Sequence, residues 1–303
     1  MTNVSAMTAL QSLTNTNKAL GKTQNHISTG YRVASAEDNA AYWSIATTMR
    51  SDKDALSTVK DGLGLGAATL DVAYTGMNSA IDVAKEIKNK LVAARQPGID
   101  REKVQAEITQ LQDQLASVSD SSVFSGENWL SVDSSAATYN ATKTMIASFS
   151  RSGGSVSVGT ISVDVDSVKL FDSNDQSGIL DTVATTGNGG VDFSVSDLDI
   201  SALTDSDADL EDLEQMISHV DDAIGSMTTA ASNIGAIKQR TKMQSDFVSS
   251  LMSAIDKGVG ALVDADMNEE STKLQALQVQ QQLGIQALSI ANSNSQMVLS
   301  LFR

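Results

Sequence analysis

Residues 4–29 read VSAMTALQSLTNTNKALGKTQNHIST, and residues 274–303 read LQALQVQQQLGIQALSIANSNSQMVLSLFR. Neither stretch holds an acidic residue, in a chain of formal net charge −16. The only charges in residues 1–29 are Lys18 and Lys22, and in residues 271–303 they are Lys273 and Arg303. Removing these four positive charges leaves −20 for residues 30–270. Both ends nevertheless carry a strong helical repeat. The first predicts a helix over 4–29, roughly 39 Å long, with the seam Ala6, Leu10, Leu13, Asn17, Leu20, Gln24 and Ile27 in 4-3 alternation. The second has the seam Ala276, Gln280, Leu283, Ala287, Ile290, Asn294, Met297 and Leu301. Such spacing is that of a coiled coil, where an occasional polar residue sets register at a cost in stability. A helix that only caps a domain keeps a charged outer face. Here that face is Ser, Thr, Asn, Gln and Gly, so it is expected to be covered too, by other copies. The ends should pair with each other and then with copies of the chain. Since an isolated helix of this kind is marginal in water, they are expected to order on assembly.

Outward from these ends, long helices are expected at about 38–95, 100–119 and 210–256. Ser35, with Asp38 three residues on, reads as the cap of the first, and Pro97-Gly98 as the turn after it. The single proline, Pro97, leaves these segments uninterrupted. Between about 121 and 209 the texture changes to Ser, Thr, Gly, Asn and Asp. Short alternating runs at 155–158 and 161–165 read as strands joined by turns at Ser152-Gly153-Gly154 and Asn188-Gly189-Gly190. The fold class expected is therefore mainly α with a small β insertion. Its terminal helices form a coiled coil (1–37 with 265–303), beside a long-helix bundle (38–130 with 210–264) and a β-rich acidic surface insertion (131–209).

Aromatic residues make up only 4% of the chain, so the core must rest on Ala, Leu, Ile, Val and Met. The absence of cysteine removes disulfides and thiolate metal sites. The acidity argues against nucleic acid, which needs a basic face. No apolar run approaches the roughly 18 residues that would cross a bilayer, so no membrane partner is expected. No basic-then-apolar leader opens the chain, so any export is expected to proceed without a cleaved signal. His26 and His219, the only histidines, stand outside any cluster at ligand spacing. His26 is expected between packed neighbours and His219 at the surface. Gly62-Leu63-Gly64-Leu65-Gly66 lacks the spacing and the Lys-Ser/Thr ending of a phosphate loop and lies inside a helical pattern; it reads as a close-packing or flexible site. The paired acids of the insertion lack the twelve-residue loop ending in Glu that calcium requires. No catalytic, cofactor-binding or metal-binding residue is expected.

The stretch Asn25 to Ala41, with its Ser28-x-Gly30-x-Arg32-Val33-x-Ser35-Ala36-x-Asp38 core, resembles the signature of bacterial flagellins. Gln105 to Leu111 and the closing run from Leu277 to Arg303 resemble the same family. The resemblance covers roughly 1–130 and 210–303, and the insertion carries none of it. It implies a structural, non-enzymatic subunit that polymerises with itself, and with other flagellins, into the filament used for swimming. It further implies an extracellular filament reached through the flagellar export machinery, with chaperone, cap and junction proteins as partners. The expected assembly interface comprises Leu10, Leu13, Asn17, Leu20, Ile27, Arg32, Leu283, Ile290, Asn294, Met297, Leu301, Phe302 and Arg303. Tyr42-Trp43 stand where many flagellins have small residues, which predicts a more heavily packed joint. Residues 84–95 match only weakly the stretch some flagellins present to a Toll-like receptor. Two other readings share these features: a hook–filament junction protein, and a coiled-coil stalk carrying an adhesin-like module.

Overall fold

The computed structural model describes residues 4–152, 155–188 and 190–301, the last eight by their helical backbone alone. Five helices are joined in order: α1 (Val4–Thr29), α2 (Ala40–Ala94), α3 (Arg101–Ser121), α4 (Asp207–Val263) and α5 (Met267–Leu301). Between α3 and α4 lie β1 (Val123–Phe124), β2 (Glu127–Asn128), β3 (Ser131–Val132), β4 (Thr142–Ser152), β5 (Ser155–Asp164), β6 (Phe171–Asp172), β7 (Ala184–Thr185) and β8 (Asp192–Phe193). They pair two by two, antiparallel except for the parallel pair β3–β6. The mainly α class with a small β insertion is thus observed. The expected runs at 155–158 and 161–165 form one strand rather than two, because Gly159 and Thr160 keep pairing with β4, opposite Ser148 and Ile146, across a register shift between those two residues.

The chain divides into two compact units, Met1–Asp54 with Leu251–Arg303, and Ala55–Ser250. In the first, Gly30 ends α1 in the left-handed region at φ 74°, a conformation glycine adopts without penalty. The chain then crosses the end of α4. Arg32 and Val33 donate backbone N–H groups to the Val263 carbonyl at 2.7 and 3.2 Å, and Ala265 donates to the Gly30 carbonyl at 2.9 Å. Val33, Ala46, Val259 and Val263 form a small core here, with Met49, Ile255 and Leu262 packed against it. The cap of α2 is Asn39, not Ser35. The Asn39 carboxamide oxygen accepts from the N–H groups of Ala41 and Tyr42. Asp38 instead turns back to accept from Ala34 and Ser35. Tyr42 and Trp43 are exposed, which corrects the expectation of a heavily packed joint: they lie one turn before Ala46, outside the small core it joins.

In the second unit α2, α3 and α4 share a core of Leu63, Leu70, Met77, Ile87, Leu91, Ile108, Leu115, Leu213, Val220, Met227 and Ile234. Ion pairs run along its surface, Lys88–Asp221 at 2.6 Å and Lys238–Asp71 at 2.5 Å among them. Arg101 differs from these, since its side chain is buried. It donates to the carbonyls of Ala94 and Leu203 and to Asp205, closing the turn at Gly98. The insertion is knitted to α3 as well: Gln105 and Gln112 both donate to the Leu198 carbonyl.

Two glycines of α2 are set by this packing. A Cβ at Gly66 would stand 2.0 Å from Met145 Sδ of β4, and one at Gly76 would stand 2.2 Å from Ser122 Oγ and 2.7 Å from Leu130 Cδ1. Gly66 is thus the close-packing member of the glycine run, whereas a Cβ at Gly62 or Gly64 would meet nothing within 4 Å. Gly76→Ala should therefore destabilise the unit by about 1–3 kcal/mol through overpacking. Gly62→Ala should stabilise it by up to about 1 kcal/mol through helix propensity. Thermal melts of the two variants should move in opposite directions; equal shifts would refute the packing account.

Candidate functional site

The terminal helices α1 and α5 lie antiparallel. His26 faces Glu270, Asn17 faces Gln281, and Leu13 lies 3.3 Å from where a Cβ would stand on Gly284. The face of α1 turned toward α5 is Ala9, Leu13, Thr16, Leu20, Thr23 and Ile27; that of α5 is Glu270, Leu274, Leu277, Gln281, Gly284, Leu288 and Ala291, all buried or half-buried. Both sets have the 4-3 spacing of a coiled-coil seam.

This seam differs from the expected one. On α1, Leu13, Leu20 and Ile27 do face α5, but Leu10 is 54% exposed, and Asn17 and Gln24 are exposed. Asn17 is therefore not a buried polar break. It sets register from the rim, accepting a 2.7 Å hydrogen bond from Gln281 Nε2. On α5 the expected stripe is displaced over residues 276–290. Ala276, Gln280, Leu283, Ala287 and Ile290 are each one residue from a seam position, about 100° around the helix, and all five are exposed. Leu283 is 57% and Ile290 63% exposed. Glycine and alanine at 284 and 291 let α1 approach closely, and that pulls the seam away from the bulkier Leu283–Ile290 stripe. Arg32 is exposed, and its guanidinium donates to the Leu262 carbonyl at 3.1 Å. The side chains of Asn294, Met297 and Leu301, and all of Phe302 and Arg303, lie outside the described residues.

The subunit thus leaves both flanks of the helix pair apolar and uncharged, with Val4, Val279, Leu283 and Ile290 exposed on one side of the seam and Met7, Leu10 and Ile285 on the other. Single exposed apolar residues need no explanation, but a patch of this extent on one helix pair marks an interaction surface. A shallow groove runs along each flank. Val4, Ser5, Thr8, Ala9 and Ser12 line one with Ala287, Ile290 and Ala291, and Met7 and Leu10 line the other with Ile285 and Leu288.

At the other end of the helix pair is a 660 Å³ cleft lined by Lys22, His26, Arg32, Asp264, Asp266, Glu269, Glu270 and Lys273, among others. In its wall His26 Nδ1 and Glu270 Oε1 are 3.0 Å apart, with both side chains nine-tenths buried. Sequence reasoning missed this pair because its members are 244 positions apart. The hydrogen bond from His26 holds the Glu270 carboxyl below the usual carboxylate range, against the opposing effect of burial. Stability from this carboxylate is present above that range and is lost as pH falls through its lowered value. His26→Ala should leave the buried acid without its hydrogen bond from the imidazole, with Lys273 at 3.9 Å, weakening the helix pair by about 1–3 kcal/mol. Amides in 16–27 and 270–281 should then exchange faster with solvent, while those of α3 should not.

No group of three or more His, Cys, Asp or Glu among the described residues could hold a metal. Several acids expected at the surface are engaged locally, Asp166 with Lys169 and Tyr139, Asp205 with Arg101 and Asp209 with Thr204. His219, expected at the surface, is half-buried, with Nε2 3.1 Å from the Thr182 carbonyl oxygen and its ring edge-on to Phe193. None of the described helices is long and apolar enough to cross a membrane.

Residues 1–135 match the model of the bacterial flagellin N-terminal helical region, and residues 217–302 match that of the C-terminal helical region. The chain belongs to the bacterial flagellin family. Flagellin C of Rhizobium meliloti (strain 1021) is 50% identical, with all of this chain and 98% of the relative aligned. Flagellin A of the same strain is 44% identical over 99% of its length. A flagellin of Brucella melitensis biotype 1 is 42% identical over 98%. Flagellins are the structural subunits of the extracellular flagellar filament, and this flagellin chain is a filament subunit of that kind. The matched regions hold α1 and α5, so the uncharged flanks described above lie in the part of the chain that carries the family.

Proposed function

We propose that this flagellin polymerises through the flanks of α1 and α5 that its own fold leaves uncovered, with Leu283 and Ile290 at the centre of the contact on one flank and Leu10 on the other. The supporting observation is the displaced stripe: a heptad-spaced apolar row with no charge among residues 274–293, exposed in the subunit. Leu13, Leu20 and Ile27 serve within the subunit, holding α1 on α5. Asn294, Met297, Leu301, Phe302 and Arg303 continue the same end of the chain and are assigned to the contact by sequence pattern. Arg32 acts one step removed, by fixing the turn that follows α1. In this reading 1–37 with 265–303 form the filament core, 38–130 with 210–264 the surrounding bundle, and 131–209 the outer surface. The subunit has no catalytic role, leaves the cell through the flagellar export channel without a cleaved signal, and meets chaperone, cap and junction proteins on the way.

Purified chain seeded with filament fragments should form long polymers under the electron microscope; short or few-copy assemblies would instead favour a junction protein. The outer part of the β4–β5 hairpin should be dispensable. Ser148 and Gly159 are partners in register, so replacing 149–158 by a two-residue turn should leave polymer length unchanged. Loss of polymer on that change would move the site of assembly to the insertion.

A further inference from the structure

A second uncovered pair of surfaces lies in the unit Ala55–Ser250. On α4, Met243 and Phe247 are 57% and 59% exposed, and Arg240 precedes them at the same 3–4 spacing. On α2, Leu65 is 60% exposed, with Asp61 one turn before it. Beside Leu65 the helix is hollow, because side chains at Gly62 and Gly64 would meet nothing within 4 Å. These glycines cost helix propensity and relieve no contact inside the subunit.

The two patches lie at one level and point in opposite directions. Lys238 of α4 pairs with Asp71 of α2 and sits over the Tyr74 ring, so the helices run side by side at this height. Thr241 and Val248 of α4, and Leu63 and Leu70 of α2, are buried between the elements. Met243 and Leu65 each follow a buried residue by two positions, about 200° around their helices. They therefore face outward on opposite sides. One is a cationic apolar ridge and the other an acidic apolar hollow. Asp61 and Arg240 have no ion-pair partner among the described residues, so both charges remain for an outside partner.

We propose that Arg240, Met243 and Phe247 of one copy seat against Asp61, Leu65 and the Gly62–Gly64 hollow of a second copy. The contact is heterologous, ridge to hollow, and repeats without closing on itself, as an open polymer requires. It rests on the filament-subunit reading and adds a lateral contact distinct from the terminal helices.

The chain has no cysteine, which permits a direct test. Leu65→Cys and Phe247→Cys chains, mixed, polymerised and oxidised, should give a covalent dimer, since a disulfide forms only where Cα atoms approach within about 7 Å. Each variant polymerised alone should give none. Covalent dimer from Phe247→Cys alone, or none from the mixture, would overturn the proposal. In a second arm, Arg240→Glu and Asp61→Arg should each raise the critical concentration for polymerisation about tenfold, and the double exchange should restore it. Unchanged singles or an unrestored double would count against the contact while polymerisation of the unaltered chain still upheld the subunit reading. Failure of the unaltered chain to polymerise would instead remove that reading itself.

Discussion

Ile290→Asp should give a chain that folds as the parent does and does not polymerise. Ile290 is 63% exposed in the subunit, so an aspartate there keeps its water and costs the fold little. In the proposed polymer the position is covered by another copy. A carboxylate enclosed there without a partner loses several kcal/mol of hydration. A loss of about 3 kcal/mol already corresponds to more than a hundredfold in critical concentration. Circular dichroism should therefore show unchanged helix content while sedimentation and electron microscopy show no filaments at concentrations where the parent is fully assembled. Leu283→Asp should behave alike, since Leu283 shares the exposed stripe. Gln281→Asp is the contrasting case, because Gln281 is half-buried and bonded to Asn17, so it should loosen α1 from α5 within the subunit. Filaments of normal length from Ile290→Asp would exclude this face as the contact.

Lys169→Ala should be the most damaging single change to the insertion. Lys169 and Asp172 are both buried, with the Asp172 side chain fully so, and their charged atoms are 2.7 Å apart. Asp172 also accepts from the N–H groups of Ser134 and Asn174, while Lys169 reaches Asp166. Burial alone would raise the Asp172 carboxyl, but the ammonium and these N–H donors outweigh it and hold it far below the usual carboxylate range. Removing the lysine strands a buried charge, which costs roughly 3–5 kcal/mol. Denaturant melts should show the second unit losing that amount, with hydrogen exchange fastest around 130–135 and 165–182. The sign of the pH response follows from the lowered carboxyl. Its stabilisation is complete above the ordinary aspartate value of about 4 and is lost as pH falls through the depressed value. The parent insertion should thus resist mild acid, and the variant should begin to lose stability nearer pH 4. A variant with parental stability would mean that water or Ser177 satisfies Asp172 unaided.

Much of the fold was legible because helical periodicity is local. The segment Val4–Thr29 coincides with the expected 4–29, and α2 differs from 38–95 by two residues at one end and one at the other. The α2 cap was misplaced because Ser35, Asp38 and Asn39 are all competent caps by type. Which one is used depends on where the chain leaves the Val263 contact. The insertion could be read only as β-rich, since two-residue strands such as β6 or β8 are held by tertiary partners rather than by their own alternation. The buried Lys169–Asp172 and His26–Glu270 pairs left no composition signal. A charged residue is ordinarily a surface residue, and what made these otherwise was the approach of segments distant in sequence.

The sequence by itself determined that both ends are acid-free heptad helices, that the acidity belongs to the middle, and that the chain resembles a flagellin. Each of these rests on residue type and local spacing. Which of two adjacent stripes on each terminal helix faces its partner was decided only in three dimensions. Stripes one residue apart in sequence have nearly the same hydrophobic content, so periodicity cannot choose between them. Backbone approach at Gly284 and the His26–Glu270 and Asn17–Gln281 contacts fix the rotation. They leave the larger side chains of Leu283 and Ile290 on the surface, where the proposed contact lies.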